Sequence, residues 1–331
     1  MALHENSPYG LYRGKRKGRG LKTETTVSSA PKPMASSVIL IVGLARNCET
    51  VIRPEIEAIT RSFSGFAATK WLVVESDSDD GTLDVLEDLR SGTGFDYITL
   101  GRLRDSLPSR TERIARCRNA YLDALENDSR YADIDFVAVA DLDGVNAELT
   151  PASVRSCWEM AEDWDACFAN QNGPYYDIWA LRHLLWSPND CWAQSEFLQA
   201  HGLGHGKAIA ASVYSRMITI SRDSMPITVE SAFGGLGIYR RHLFDGCQYA
   251  GIRADGGEIC EHVVIHAEMR RKGAQLLINP RLINSGFNDF SRTMQTSHRI
   301  RRSIRRTASG IISTILPTPL LARLRALRKR R

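Results

Sequence analysis

Two carboxylates one residue apart, Asp141-Leu142-Asp143-Gly144, follow directly on the apolar run Phe136-Val137-Ala138-Val139-Ala140. Carboxylate oxygens suit small, hard divalent cations. Placed side by side without a positive charge, two carboxylates repel and one takes up a proton. Such a pair can hold Mn2+ or Mg2+, and the cation in turn can neutralise a substrate diphosphate. An Asp- and Gly-rich turn is the plainer alternative, and the position straight after an apolar strand weighs against it. Further on, Cys260-Glu261-His262-Val263-Val264-Ile265-His266 offers a candidate general base, Glu261. It also carries two imidazoles four residues apart, where His262 or His266 can complete a metal site. A hydrogen-bonded structural role is the equal alternative for each. The order Glu-His-x-x-x-His is not that of a HExxH zinc helix, and the two aspartates suit Mn2+ or Mg2+ better than zinc.

Two further groups of residues have the right chemistry for a nucleotide. Glu75-Ser76-Asp77-Ser78-Asp79-Asp80-Gly81-Thr82 follows another apolar run, Trp71-Leu72-Val73-Val74. Its carboxylates can accept hydrogen bonds from a base or from ribose hydroxyls, although Asp, Ser and Thr also cap helices. The helical stretch 110–125 carries Arg110, Arg113, Arg116, Arg118 and Asn119. Arg113 and Arg116 stand three apart and can share a face, and arginine suits bidentate phosphate contacts. A solvated basic face accounts for at least two of the four arginines.

These groups need elements to position them. Strands are expected over 38–42, 71–74, 95–100 and 135–140, and helices over 49–63, 82–89 and 110–125. Alternation of this kind argues for an α/β protein with a mostly parallel sheet flanked by helices. Ligands bind such sheets beyond the carboxyl ends of the strands, which here means just after Val42, Val74 and Ala140.

The order of these motifs resembles the nucleotide-sugar-binding half of the GT-A glycosyltransferases. Within them it is most similar to the fungal capsule-associated mannosyltransferases and their bacterial relatives. Tyr176-Asp177-Ile178-Trp179-Ala180-Leu181-Arg182 and Cys260-Glu261-His262 carry the narrower resemblance. The resemblance spans about 38–284 and implies a Rossmann-like GT-A fold and a nucleotide-sugar donor. It also implies a glycan or lipid-linked acceptor and Mn2+ or Mg2+. It places Glu75 and Asp77 against base and ribose, with Arg113, Arg118 and Asn119 toward the donor. Asp141 and Asp143 would hold metal and diphosphate, with His262 as a further ligand. Glycine-containing Phe233-Gly234-Gly235-Leu236-Gly237 would let backbone approach a sugar, with Gly235 against the donor. Glu261 and Asp143 would be the catalytic carboxylates. Glu-His where inverting relatives carry Glu-Asp leaves inverting and retaining outcomes both open.

Charge divides the chain into three. Residues 1–35 hold seven Lys/Arg and two Asp/Glu, residues 292–331 hold twelve and none, and residues 36–291 hold 24 and 36. The division expected is a disordered basic tail over 1–35 and one GT-A domain over 36–291. That domain would have a nucleotide-sugar half, 36–145, and an acceptor half, 146–291. A basic amphipathic tail over 292–331 would follow, because Leu320, Leu324 and Leu327 recur at helical spacing among arginines. Such a tail can contact an anionic membrane. The acidic body excludes specific nucleic-acid binding, leaving only salt-sensitive tail contacts. Seven cysteines without CxxC spacing suit reduced thiols and a cytoplasmic location, peripheral at the inner face of the membrane. The aromatic stretch 170–230 offers rings for sugar stacking, and 199–206 reads as a flexible loop. A nucleotidyltransferase and a non-catalytic nucleotide- or carbohydrate-binding protein are the alternatives. The first lacks its Gly-rich basic loop after the first strand, where Gly43-Leu44-Ala45-Arg46-Asn47 stands.

Overall fold

The computed structural model describes residues 30–92, 94–287 and 291. Both charged tails, 1–29 and 292–331, lie outside the described residues, as do the expectations of a disordered segment and an amphipathic helix made for them.

The first four strands are β1 (Val38–Ala45), β2 (Ala68–Glu75), β3 (Phe95–Thr99) and β4 (Phe136–Asp141). They are joined by α1 (Ile52–Ser62), α2 (Thr82–Arg90) and α3 (Arg110–Asn127). All seven lie where the sequence places them. Expected boundaries move by a few residues: Pro54 falls in the first turn of α1, where its missing N–H costs nothing. After β4 come α4 (Pro151–Arg155), β5 (Ala166–Gln171), α5 (Cys191–Ala200), α6 (His205–Ser212), β6 (Ile227–Thr228), β7 (Leu236–Arg240), α7 (Glu261–Arg271) and β8 (Leu276–Ser285).

The eight strands form one sheet in the order β3-β2-β1-β4-β7-β5-β8-β6. β1 pairs in parallel with β2 and β4, and β2 with β3. β7 runs antiparallel between β4 and β5, β8 is parallel to β5, and β6 closes the far edge antiparallel. Six strands therefore point one way, and the fold is the α/β arrangement expected, a mostly parallel sheet flanked by helices. The residues on either side of 145 share this sheet.

Alternation along β1 shows how the core divides. Leu40 and Val42 face one side with Ala115, Tyr121, Leu122 and Leu125 of α3 and Ile265 and Met269 of α7. Ile39 and Ile41 face the other with Ile52, Ile56 and Ile59 of α1. A strand buried on both faces must be apolar throughout, which is why these strands are legible as unbroken runs. All seven cysteines are free and buried. The stretch 199–206, read as a flexible loop, is instead the tight turn between α5 and α6. Gly202 takes a left-handed φ of 91° and the Leu203 N–H reaches back 3.0 Å to the Leu198 carbonyl, ending α5 in a glycine-dependent cap.

On the α1 side, Phe136 meets Phe66, Trp158 and Trp164 at ring-centroid distances of 6.2, 5.2 and 6.0 Å. Phe136→Ala empties the centre of this cluster and should lower unfolding free energy by about 3–5 kcal/mol, measured by urea denaturation.

Candidate active site

β4 runs through the middle of the sheet and delivers Asp141 at its carboxyl end. A network of buried amides fixes the backbone there. The Asp141 N–H donates to the Gly235 carbonyl at 3.0 Å, and the Asn146 side-chain amide donates to the Asp141 carbonyl at 2.8 Å. Asn284 donates to both Asn146 Oδ1 at 3.0 Å and the Gly234 carbonyl at 2.8 Å. Buried Glu55 accepts the Asn146 backbone N–H at 3.1 Å from below.

Gly234 and Gly235 both adopt left-handed φ, 69° and 85°. A side chain at Gly235 would come within 2.7 Å of Val145 Cγ2 and 2.8 Å of the Tyr176 hydroxyl. Glycine is required there by conformation and by space. Asp177 clamps this turn: one carboxylate oxygen accepts the Gly234 N–H at 3.0 Å and the other the Ala180 N–H at 3.2 Å.

Arg118 joins the parts. It leaves α3, only 4% exposed, and lies 5.5 Å over the Phe233 ring and 5.7 Å over the Tyr249 ring. Its Nε donates to Glu261 Oε1 at 2.9 Å, and its Nη2 approaches Asp141 Oδ1 at 3.7 Å. Nη1 is buried and makes no well-formed hydrogen bond, although the Tyr121 hydroxyl interacts with the guanidinium. A buried guanidinium with an unsatisfied donor is costly and is suited to an anionic ligand.

The electrostatics follow from three carboxylates, Asp141, Asp177 and Glu261, set against that buried guanidinium, with Asp143 beside them acted on by the exposed Arg110. Some 38% of the Asp141 side chain remains open, yet protein atoms crowd it. Loss of water pushes its carboxyl up to about 7, with Asp143, Asp177 and Glu261 adding to the rise and Arg118 opposing it. Asp143, on the exposed turn, is raised chiefly by partial loss of water. Burial also raises Asp177, against the two N–H groups that it accepts.

Asp141 and Asp143 offer only oxygen donors and a deficit of positive charge, the donor set that suits Mn2+ or Mg2+ sharing its shell with phosphate and water. Among the described residues no group of three or more His, Cys, Asp or Glu gathers into a complete metal shell. His262, expected as a third ligand, is not brought together with the two aspartates. Its ring stacks on Phe233 at 3.9 Å, and its Nε2 lies 3.6 Å from Glu261 Oε1. Burial first, then Arg118, holds it neutral. His266 is structural: Nδ1 pairs with the Ser231 hydroxyl and Nε2 with the Tyr239 hydroxyl, each at 2.9 Å. Burial drives its pKa down to about 3.

The nucleotide-side residues divide. Glu75 is buried and spends its carboxylate on the Ser78 N–H at 2.9 Å and the Thr99 hydroxyl at 2.6 Å. Asp77 takes the Arg104 N–H at 2.9 Å and stands 3.6 Å from Arg113 Nε. Arg113 also holds the Leu107 and Pro108 carbonyls, both at 2.7 Å. Asn119 spends its amide on the Tyr249 backbone, donating at 2.9 Å and accepting at 2.8 Å. Arg110 and Arg116 are exposed. Asn47 and Asp77, after β1 and β2, are the two non-glycine residues with positive φ among the described residues, at 49° and 64°. Backbone strain of this kind clusters at ligand sites. The Asp79 N–H bonded to Asn47 Oδ1 at 2.8 Å ties the two loops together.

Asp177, Asn146 and Asn284 are site residues to which the sequence assigns no role. Asp177 lies in a motif noted only for its family resemblance, and the two asparagines sit in no pattern.

No protein-family model matches this chain, and no curated protein does. Solved structures do. The structure of TarS 1–349 from S. aureus aligns at 13% identity over 72% of this chain and 57% of that one, with a TM-score of 0.39. The mannosyltransferase PcManGT from Pyrobaculum calidifontis, in complex with GDP-Man and Mn2+, aligns at 12% over 77% and 58%, with 0.43. Glucosyl-3-phosphoglycerate synthase from Mycobacterium tuberculosis, in complex with UDP, aligns at 15% over 76% and 70%, with 0.38. The chain thus spans little more than half the length of the first two. Likenesses this remote assign neither donor nor acceptor.

A raised carboxyl binds its proton more tightly in the folded state, so it supports the fold below its folded pKa and weakens it above. Cation-free protein should therefore lose stability as pH rises from about 4 to about 7, and level off above that. Asp141→Asn should flatten that slope and raise Tm at pH 8 by ~2–4 °C. Thermal melts of both proteins from pH 5 to 8 in chelator check this.

Proposed function

We propose that this protein is a metal-dependent glycosyltransferase. It moves a hexose, mannose on the narrower sequence resemblance, from a nucleotide-sugar to a glycan or lipid-linked acceptor. The observation that supports this most is the acidic end of β4, where Asp141 and Asp143 stand open beside a buried arginine with an unsatisfied donor. A nucleotide-binding module has no need of so costly an arrangement.

Glycosyl transfer breaks the bond between an anomeric carbon and a diphosphate, and negative charge grows on the leaving group. Asp141 and Asp143 would hold a divalent cation, which supplies positive charge to that diphosphate. Arg118, already desolvated and held between two rings, brings positive charge to the same place from the protein side, with Nη2 3.7 Å from Asp141 Oδ1. Glu261, buried and bonded to Arg118 Nε, is the residue that orients it; that role is compatible with a retaining outcome. In an inverting reaction Glu261 would also receive the acceptor proton. The Gly234-Gly235 turn presents backbone to the sugar, with Asp177 holding its shape. Glu75, Asp77 and Arg113 build the floor beneath base and ribose, and Asn119 supports it through Tyr249.

Release of nucleoside diphosphate from UDP-, GDP- and CDP-hexoses with Mn2+ tests the proposal. One donor should turn over, and Asp141→Asn/Asp143→Asn should reduce the rate by about 10²-fold or more, as loss of charge stabilisation at a leaving group does. No turnover of any donor in folded protein, with or without simple glycan and lipid-phosphate acceptors, argues against it.

A further inference from the structure

The segment between β5 and β7 has an unusual surface. Of the nine large apolar residues exposed among the described residues, six fall within 184–225: Leu184, Leu185, Trp192, Phe197, Ile218 and Met225. The leucines are the most exposed, at 75% and 87%. They do not hang on a slack loop. His183 and Ser187 pair as an antiparallel bridge, and His183 Nδ1 accepts the backbone N–H groups of Leu185 at 3.2 Å and Trp186 at 3.1 Å. Trp186 anchors the base of the turn by donating to the Arg216 carbonyl at 2.6 Å. Two leucines are thus held outward on a braced tip.

The helices beside it are inverted. α5 and α6 bury the small residues Cys191, Ser195, Ala208 and Ser212 and leave Trp192 and Phe197 outside, with Phe197 60% exposed. An ordinary surface helix turns its large apolar residues inward. Charge is also sparse here. Residues 183–225 hold three Lys/Arg and three Asp/Glu, a neutral stretch on a body with twelve excess acids. An anionic surface repels that body elsewhere but not at this stretch. Exposed Phe287 lies against Gly173, where the segment begins, and the next charged stretch, 292–331, carries twelve Lys/Arg and no acid.

We infer that the braced Leu184-Leu185 tip and the outer side of α5 insert into the interface of an anionic lipid bilayer, with the basic stretch 292–331 supplying attraction to its headgroups. Apolar insertion and a polybasic segment are the two signals that a stable peripheral contact needs. No described helix is long and apolar enough to cross a membrane, so the contact is one leaflet deep. Asp177, whose carboxylate holds the Gly234 turn, lies only seven residues before the tip. An acceptor rooted in the bilayer would meet the site from that side. The membrane contact itself does not depend on the glycosyltransferase proposal.

Co-sedimentation of the full chain with vesicles of phosphatidylcholine containing 30% phosphatidylglycerol tests it, alongside pure phosphatidylcholine vesicles. The wild type should bind the anionic vesicles. Leu184→Glu/Leu185→Glu should bind them about tenfold to a hundredfold more weakly, with unchanged Tm. The milder Leu185→Ser/Phe197→Ser should fall between the two. Wild-type binding retained by both variants, or no binding by the wild type, overturns the inference. So does a wild-type dimer that either variant splits, which assigns the face to a second copy. A monomeric variant several degrees less stable assigns it to another part of the same chain and overturns it equally. Nucleoside diphosphate release by the lipid-binding variants separates this failure from that of the proposed activity.

Discussion

Three carboxylates, Asp141, Asp177 and Glu261, share one buried guanidinium, and the architecture around the end of β4 follows from that imbalance. Arg118 cannot neutralise all three together, and Asp143 has only the exposed Arg110 acting on it. Loss of water, with the neighbouring carboxylates adding to it, holds Asp141 up at about 7, and Nη1 of the arginine is left without a well-formed hydrogen bond. A site built in this way is unsatisfied in both signs. It lacks positive charge for the acids and an acceptor for the arginine. On the proposed function, a cation with a bound diphosphate would supply both. Burial makes the demand strong at the arginine, which cannot turn to water instead.

The rest of the structure keeps those charges in place. Phe233 and Tyr249 flank the guanidinium, and Tyr249 is in turn fixed by Asn119 through two backbone hydrogen bonds. Glu261 sits in the first turn of α7, where a negative charge is favoured by the helix dipole. Asn146, Asn284 and the two left-handed glycines fix the backbone that carries Asp141. Most of the polar groups of the site are spent on one another, and the few left over define what a ligand must bring.

The sequence made the N-terminal half of this arrangement legible. Strands buried on both faces read as apolar runs, and the sheet rule then located Glu75 and Asp141 at strand ends. Arg118 was legible as one arginine among four, but its burial was not, because helical spacing does not say which face meets α7. Asp177 and Asn284 were hidden for a different reason: their roles arise from backbone contacts across 57 and 50 residues. His262 was misplaced among the metal ligands because residue type indicates ligand capacity and says nothing of the aromatic layer that encloses it. The α5–α6 turn was hidden by Gly202 and Gly204, which read as flexibility and act as a helix stop and a helix start.

The central claim is that the acids and the arginine are completed by a cation and a nucleoside diphosphate together. Melting the wild type and an Asp141→Ala/Asp143→Ala variant with Mn2+, with UDP, GDP or CDP, and with each combination measures this directly, since a ligand of the native state raises Tm by mass action. One nucleotide should raise the wild-type Tm with Mn2+ by more than the two separate shifts combined, and the variant should lose that excess. Equal shifts in both proteins, or no excess with any nucleotide, would contradict it.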